Sequence, residues 1–311
     1  METKTRSPSM PYPQNIYINN CKIVNYLTAN RVPIQSMRAS SLLVIPKKQI
    51  CIDFSLMTDC NQPLFVTAFD LAVMDAVYTL VVKNCWDFTP GMLVKTIWGH
   101  RSCFVTSQKL LTVNTSLEKL SAIRANINCT AEFQFKKIID KDHSVKFNGP
   151  LLSISAVPSS VDVAQRLKTL YHIRDKPVLH AYAEITKQII CIPTNLLTCG
   201  NLPDTEEVIL IKRYLFKRIE MIKNQKNHIK SRRISYEWFD TNKGIQRGLL
   251  YDLGYDKSDY VKWRDKKAKI HCTVVSVLDA FVAAGYIAGY QVVRQPPGGK
   301  TSPIMGVDLS L

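Results

Sequence analysis

The residues with most capacity for chemistry in this chain are cations set in a run and in stripes, and the chemistry they suit is the binding of phosphate. Between Ile211 and Arg233 stand nine basic residues (Lys212, Arg213, Lys217, Arg218, Lys223, Lys226, Lys230, Arg232 and Arg233) against one acid, Glu220. A local excess of +8 creates a field that draws a polyanion through counterion release. Two further sets recur at helical spacing. Gln108, Thr112, Thr115 and Lys119 form one; Lys262, Lys266, Lys269, Thr273 and Ser276 form the other. Glutamine can pair with adenine, threonine can touch a thymine methyl group, and lysine can reach guanine or phosphate. Asp265 and Asp279 lie beside the second set and would repel phosphate.

Signatures of catalysis are missing from the same sequence. No G-x-x-x-x-G-K-[ST] run is written, so a phosphate-cradling P-loop is excluded. No His-x-His pair occurs, and the six histidines are dispersed. Tyr251 and Tyr255 lie near Arg247, but no recognisable His and second Arg support a tyrosine nucleophile. Asp140 and Asp142 read as a turn, and Asp252, Asp256 and Asp259 lack the Gly and Glu placements of a calcium loop. No enzyme activity, cofactor or metal is expected.

Helices must position these stripes, and the punctuation for them is written twice. Thr67 and Asp70 form a capping box ahead of Leu71, Met74, Val77, Tyr78 and Val81. Thr89-Pro90 opens a second helix that Gly99 closes. Thr106 or Ser107 starts a third, with Leu110, Val113, Leu117 and Leu120 on one stripe, opposite the Gln108–Lys119 set. Two extended runs, Ala131–Ile139 and Val145–Ala156, predict a hairpin. In the second half Asp204 and Glu207 predict a capping box for a helix through Val208, Ile211, Leu215, Ile219 and Ile222. Ile234–Lys243 suggests a strand edge and a short helix, and 245–260 a glycine-containing loop. A long helix from about Val261 carries Ile270, Val274, Val277, Leu278 and Phe281 and stops at Gly285. Tyr290–Gln295 and Ile304–Leu311 make a closing hairpin around Pro296–Lys300.

Helix, helix, helix, hairpin in each half predicts an α+β, helix-rich chain with two winged-helix domains in tandem. In such a domain the third helix enters the DNA major groove and the hairpin wing touches the backbone. The expected divisions are an N-terminal arm with short strands (1–60), a first winged helix (61–157), a connector (158–203) with a short helix at Val178–Lys187 and a strand at Gln188–Ile192, and a second winged helix (204–311). Lys136, Lys137, Lys141 and Lys146 on the first wing, and Arg294 and Lys300 on the second, are candidate phosphate contacts, as are Lys212 and Arg213.

The 311 residues suit about two domains. Apolar residues at 46% suffice for real cores, and the net charge of +16 leans the whole chain toward polyanions. Residues 61–150 carry only +3, and 204–311 carry +7. No stretch of eighteen apolar residues occurs, and the first fifteen residues hold no apolar core of signal type, so a cytoplasmic, non-membrane protein is expected. Nine cysteines without a C-x-x-C pair read as buried thiols in a reducing compartment.

The phrases FDLAVMDAVYTL and FTPGMLVKTIWG in the first half, with TEEVILIKRYLFKRIEMIKN and KKAKIHCTVVSVLDAFVAAGYIAGY in the second, resemble plasmid replication initiators of the Rep type. The resemblance covers about residues 61–311. It implies binding of double-stranded DNA at repeated origin sites, help in melting the origin, recruitment of host replication proteins, dimerisation through the first domain and repression of the protein's own gene. The low charge of residues 61–150 departs from the strong charge that such proteins carry on both domains. It points to the first domain as the weaker DNA binder or the dimer face. A transcription regulator on the same fold is the alternative. From another class, an RNA-binding or structural interaction protein would use the basic run as a docking face.

Overall fold

The computed structural model describes residues 12–29, 32–34, 41–45, 50–57, 63–99, 103–137, 140, 143–157, 169–200, 202–224, 232–240, 245–255, 257–296 and 302–311. The chain opens with β1 (Asn15–Asn19), α1 (Lys22–Ala29), β2 (Ser41–Ile45) and β3 (Ile50–Leu56). The first domain follows: α2 (Ala68–Val82), β4 (Asp87–Phe88), α3 (Pro90–Trp98), α4 (Ser107–Ala122), β5 (Ile123–Asn128), α5 (Thr130–Phe135), β6 (Lys146–Pro150), β7 (Ile154–Ala156) and β8 (Tyr171–Ile173). Between the domains lie α6 (Val178–Ile185), β9 (Ile189–Pro193) and α7 (Thr194–Thr198). The second domain holds α8 (Glu206–Lys223), β10 (Arg233–Ser235), β11 (Trp238–Asp240), β12 (Ile245–Arg247), α9 (Leu249–Asp252), α10 (Trp263–Ala283), β13 (Gly289–Arg294) and β14 (Ile304–Ser310).

The capping signals of the first domain act as written. The Thr67 hydroxyl accepts from Asp70 N–H, and Asp70 accepts in return from the Thr67 N–H at 2.7 Å. Thr89 and Thr106 cap α3 and α4, with Pro90 at the first position of α3. Gly99 ends α3 in the left-handed region, at φ 85°. A Cβ there would overlap the Leu197 side chain on α7, so only glycine lets these elements meet. At the start of α8 the cap shifts by one residue from the expected Asp204. Thr205 accepts from Val208 N–H, while Asp204 is drawn to Lys109 of α4 at 2.6 Å.

Each half closes as a three-stranded antiparallel sheet of the same order. In the second domain β10 pairs with β14, and β14 with β13. In the first, β4 pairs with β8, and β8 with β7. Helix, strand, helix, helix, then a hairpin whose last strand returns to the first strand is the winged-helix topology, and the chain carries it twice. Gly306 of β14 permits it in the second domain, since a Cβ would collide with the Ile234 carbonyl on β10.

This order corrects the first wing. The hairpin expected at 131–156 is not one. Ala131–Phe135 lies in α5, where Phe133 is buried but Phe135 is 86% exposed, so the apparent alternation does not describe a strand. Glu132 holds the helix in place, accepting from the Tyr182 hydroxyl at 2.7 Å and pairing with Lys136 at 2.8 Å. The strand before it is β5, whose Ile123, Ala125 and Ile127 are buried and whose alternate residues are exposed. With β2 and β3 from ahead of α2, and with β6, it forms a separate four-stranded sheet, so β5, α5 and β6 are inserted between α4 and the true wing, β7–β8. That wing falls partly in the expected connector; its tip, 158–168, lies outside the described residues.

Three further expectations change. Described residues of the expected N-terminal arm belong to the cores: Ile23, Val24 and Leu27 of α1 join the first, and Ile16 and Ile18 of β1 join the second. The short helix expected within 234–243 is replaced by β11; its one-turn counterpart is α9, inside the expected loop. Among the cysteines, Cys21, Cys85, Cys103 and Cys129 are buried, but Cys51, Cys191 and Cys272 are exposed. Strands β2–β3, helix α6 and strand β9 stand where expected. Among the described residues, no helix is long and apolar enough to cross a membrane.

Candidate nucleic-acid interface

In the second domain α10 lies against α8 and its own wing. Ile270, Val274, Val277, Leu278 and Phe281 are buried, and Phe281 stacks on Phe216 of α8 at 4.9 Å between ring centres. The opposite face is open. Lys262, Arg264, Lys269, Cys272 and Ser276 are exposed, and Thr273 is half-exposed. The Thr273 and Ser276 hydroxyls donate to carbonyls one turn back, leaving their lone pairs outward. Lys266, second member of the expected stripe, is instead tied to Glu207 of α8 and lies over the Tyr255 ring at 4.9 Å. Burial raises the Glu207 carboxyl, but the bonds from Lys266 and Tyr255 outweigh it and hold the group low. The Tyr255 hydroxyl donates to the same carboxylate at 2.8 Å. Asp279 is occupied by the Tyr290 hydroxyl of β13 at 2.6 Å.

A groove of about 1020 Å³ runs between α10 and the wing. Arg264 and Lys267 face it from the helix, Lys257 from the turn before α10, and Arg294 from β13. One acid, Glu237, also lines it; it pairs with Lys267 and accepts from the Trp263 indole at 3.2 Å. The Arg294 guanidinium donates to the Ser302 carbonyl at 2.9 Å, which fixes the wing's base. His271 meets the Tyr236 hydroxyl at 2.7 Å; burial, and then Arg294, keep its imidazole below the ordinary histidine range. The expected stripe of α10 omits Arg264 and Lys267 because the stripe two positions earlier faces the groove, and Lys257 lies in the turn ahead of the helix. Lys300 lies outside the described residues.

Among the described residues, the first domain presents no equivalent face. Lys119 is committed to Asp70 at 2.5 Å and to the Phe65 carbonyl at 3.2 Å. Gln108, Thr112 and Thr115 border a shallow pocket of about 300 Å³ that also holds Asp70 and, from the tip of α8, Glu206. Burial, then Asp70, raise the Glu206 carboxyl. Two carboxylates beside the stripe disfavour phosphate, and Leu111 and Glu118 are exposed next to it. Lys136 and Lys137 follow α5, Lys146 is on β6, and none of them is on the wing; Lys141 lies outside the described residues.

Two of the nine cations in the basic run are not surface groups at all. Lys212 is 3% exposed and donates to the Leu197 and Cys199 carbonyls. Burial lowers its ammonium pKa. Arg213 is 5% exposed and pairs with Asp75 of α2. Asp75 also accepts from Asn19 N–H of β1 at 2.9 Å and lies 2.8 Å from Nε2 of His180 on α6. One carboxylate thus ties β1, α2, α6 and α8 together. The signal was present: Lys212 stands four residues after Val208 and three before Leu215, and Arg213 holds the same place between Ile209 and Phe216, all four buried. Among the described residues, no group of three His, Cys, Asp or Glu is arranged to hold a metal ion.

No protein-family model matches the chain, and no curated protein matches it. Among solved structures it is similar to a selenomethionine crystal form of domains 2 and 3 of RctB, at 9% identity and a TM-score of 0.43 over 93% of this chain and 98% of that one. A second crystal structure of the same two domains gives 9% identity and 0.41 over 90% and 95%. Likeness at this level carries no argument about function, and the winged-helix assignment rests on the strand order of the two sheets.

Proposed function

We propose that this chain is a non-enzymatic, sequence-specific binder of double-stranded DNA that initiates replication of a plasmid or mobile element from repeated sites. The observation that carries the reading is the free face of α10, with Lys262, Arg264, Lys269 and Ser276 exposed beside a cation-lined groove and a wing. A helix with one buried stripe and one polar-to-basic stripe, flanked by a β-ribbon, suits a major groove and its bordering phosphates. The second domain is the reader. The first, whose α4 stripe faces two carboxylates, is left for a second copy of the chain or for host replication proteins.

The experiment is selection of sites from random duplexes, followed by gel shifts at fixed salt on the selected and a scrambled duplex. Lys269→Ala with Ser276→Ala is expected to weaken the selected site by roughly 10- to 100-fold, as base contacts of about 1–3 kcal/mol imply. Scrambled DNA should lose no more than about threefold, the share of one phosphate contact. Equal loss on both duplexes, or no enriched sequence, refutes sequence reading by α10. Enrichment of repeats that also lie beside the gene supports the initiator role over a regulator's.

A further inference from the structure

A second concentration of charge lies between the domains, away from the free face of α10. It is a cavity of about 280 Å³, walled by α1 and α2 on one side and by α8, β10, β12 and α9 on the other. Arg213, Lys217, Arg218, Arg233 and Arg247 line it, against two carboxylates, Asp75 and Asp252. Asp75 is taken by Arg213, and Arg233 reaches Asp308 at 2.8 Å. Arg247 lies 4.0 Å from Asp252, beyond hydrogen-bond range. Lys217 and Arg218 make no contact ion pair among the described residues, although Asp252 attracts both and Asp75 attracts Lys217. Burial holds the Lys217 ammonium below its usual range and pushes the Asp252 carboxyl up. Leu71, Leu210, Tyr214 and Met221 supply an apolar and aromatic part of the wall, and Asn20, Asn25, Thr28 and Ser235 a polar part.

Five cations against three carboxylates, Asp308 included, leave the half-enclosed space net positive, and an anion that enters it gains charge-assisted hydrogen bonds. We infer that this inter-domain cavity is a binding site for a small organic phosphate, with Lys217 and Arg218 on the phosphate and the Tyr214–Met221 wall on the organic part. The volume suits one small molecule, and duplex DNA cannot enter. A ligand there touches both domains and fixes their relative setting. The inference stands apart from the DNA reading, since it uses no residue of the α10 face.

The test is calorimetric titration and thermal denaturation of the full chain, without DNA, using inorganic phosphate, inorganic pyrophosphate and adenosine diphosphate. Adenosine diphosphate is expected to bind, more tightly than inorganic phosphate, and to raise Tm. Lys217→Gln with Arg218→Gln should weaken it by about tenfold or more, the loss of at least one charge-assisted bond. Arg264→Ala with Lys269→Ala should leave it unchanged. Absence of heat and of a Tm shift with all three probes at millimolar concentration overturns the inference. So does an affinity unchanged in the double glutamine variant, or one lost in the α10 variant. If the double variant does not fold by circular dichroism, Arg218→Gln alone carries the comparison under the same criteria.

Discussion

Arg213→Met isolates the buried junction from any role in DNA contact. In the native chain the Asp75 carboxylate has three partners: Arg213, Nε2 of His180 and the Asn19 N–H. Methionine keeps most of the volume of the arginine stem and removes its charge, leaving a buried carboxylate with two hydrogen-bond partners, His180 and Asn19. Breaking a buried pair from one side costs about 3–5 kcal/mol; with two hydrogen bonds and the nearby Lys217 remaining, about 3 kcal/mol is expected here. That is a large fraction of a typical stability of about 5–15 kcal/mol. Asp75→Asn in the same chain should return part of the loss, with a coupling of about 1–2 kcal/mol. Urea denaturation followed by circular dichroism measures both. The pH dependence gives an independent sign. In the native protein burial raises the Asp75 carboxyl, but Arg213, His180 and Lys217 together hold it below the ordinary range. Its contribution is therefore present above the unfolded value of about 4 and is lost as pH falls through the lower folded value. Without Arg213, burial dominates and the folded value rises above the unfolded one. The variant should then gain stability on acidification from neutral pH toward about 4, where the native chain shows no gain from this group. DNA affinity per folded molecule should stay within about twofold, less than the loss expected of a phosphate contact. A loss below about 1 kcal/mol together with weakened DNA binding would refute the junction and restore Arg213 as a contact.

Three further outcomes are expected. Gly99→Ala combines a residue at φ 85° with an overlap on Leu197, and should destabilise by about 2 kcal/mol or more in urea denaturation. Cys272 is exposed on the free face of α10 between Lys269 and Ser276, so alkylation with N-ethylmaleimide should abolish specific DNA binding. Cys272→Ser should resist, although Cys51 and Cys191 remain exposed, and a still-sensitive variant would place the block elsewhere. Arg264→Ala should lower the slope of log affinity against log salt by about 1, whereas Lys119→Ala, already paired with Asp70, should leave the slope unchanged.

Local chemistry was legible wherever a residue settles its own surroundings. Thr67 with Asp70, Thr89 with Pro90, and Gly99 each mark a helix end through backbone groups a few residues away. The long apolar stripe of α10 and its closing hairpin were legible for the same reason. Long-range partners were not. The fate of Lys212 and Arg213 depends on carbonyls and a carboxylate supplied by other elements, although their helical spacing marked them as inward. The first wing was misplaced because Ala131–Phe135 alternates like a strand, while β7 and β8 are three residues each and far apart in sequence. β5 was overlooked because it follows α4 without a glycine or proline to announce the change.

The pairing of β1 with β9 has a consequence for biosynthesis. Asn15 is registered against Pro193, so β1 must wait during synthesis for a partner 178 residues later. At roughly 5–20 residues per second that interval is on the order of 10–35 s. Throughout it Ile16 and Ile18 are unshielded, because the core that receives them is mostly encoded still further downstream. Nascent chains of this protein should therefore be clients of holdase chaperones until the last helix and ribbon are made.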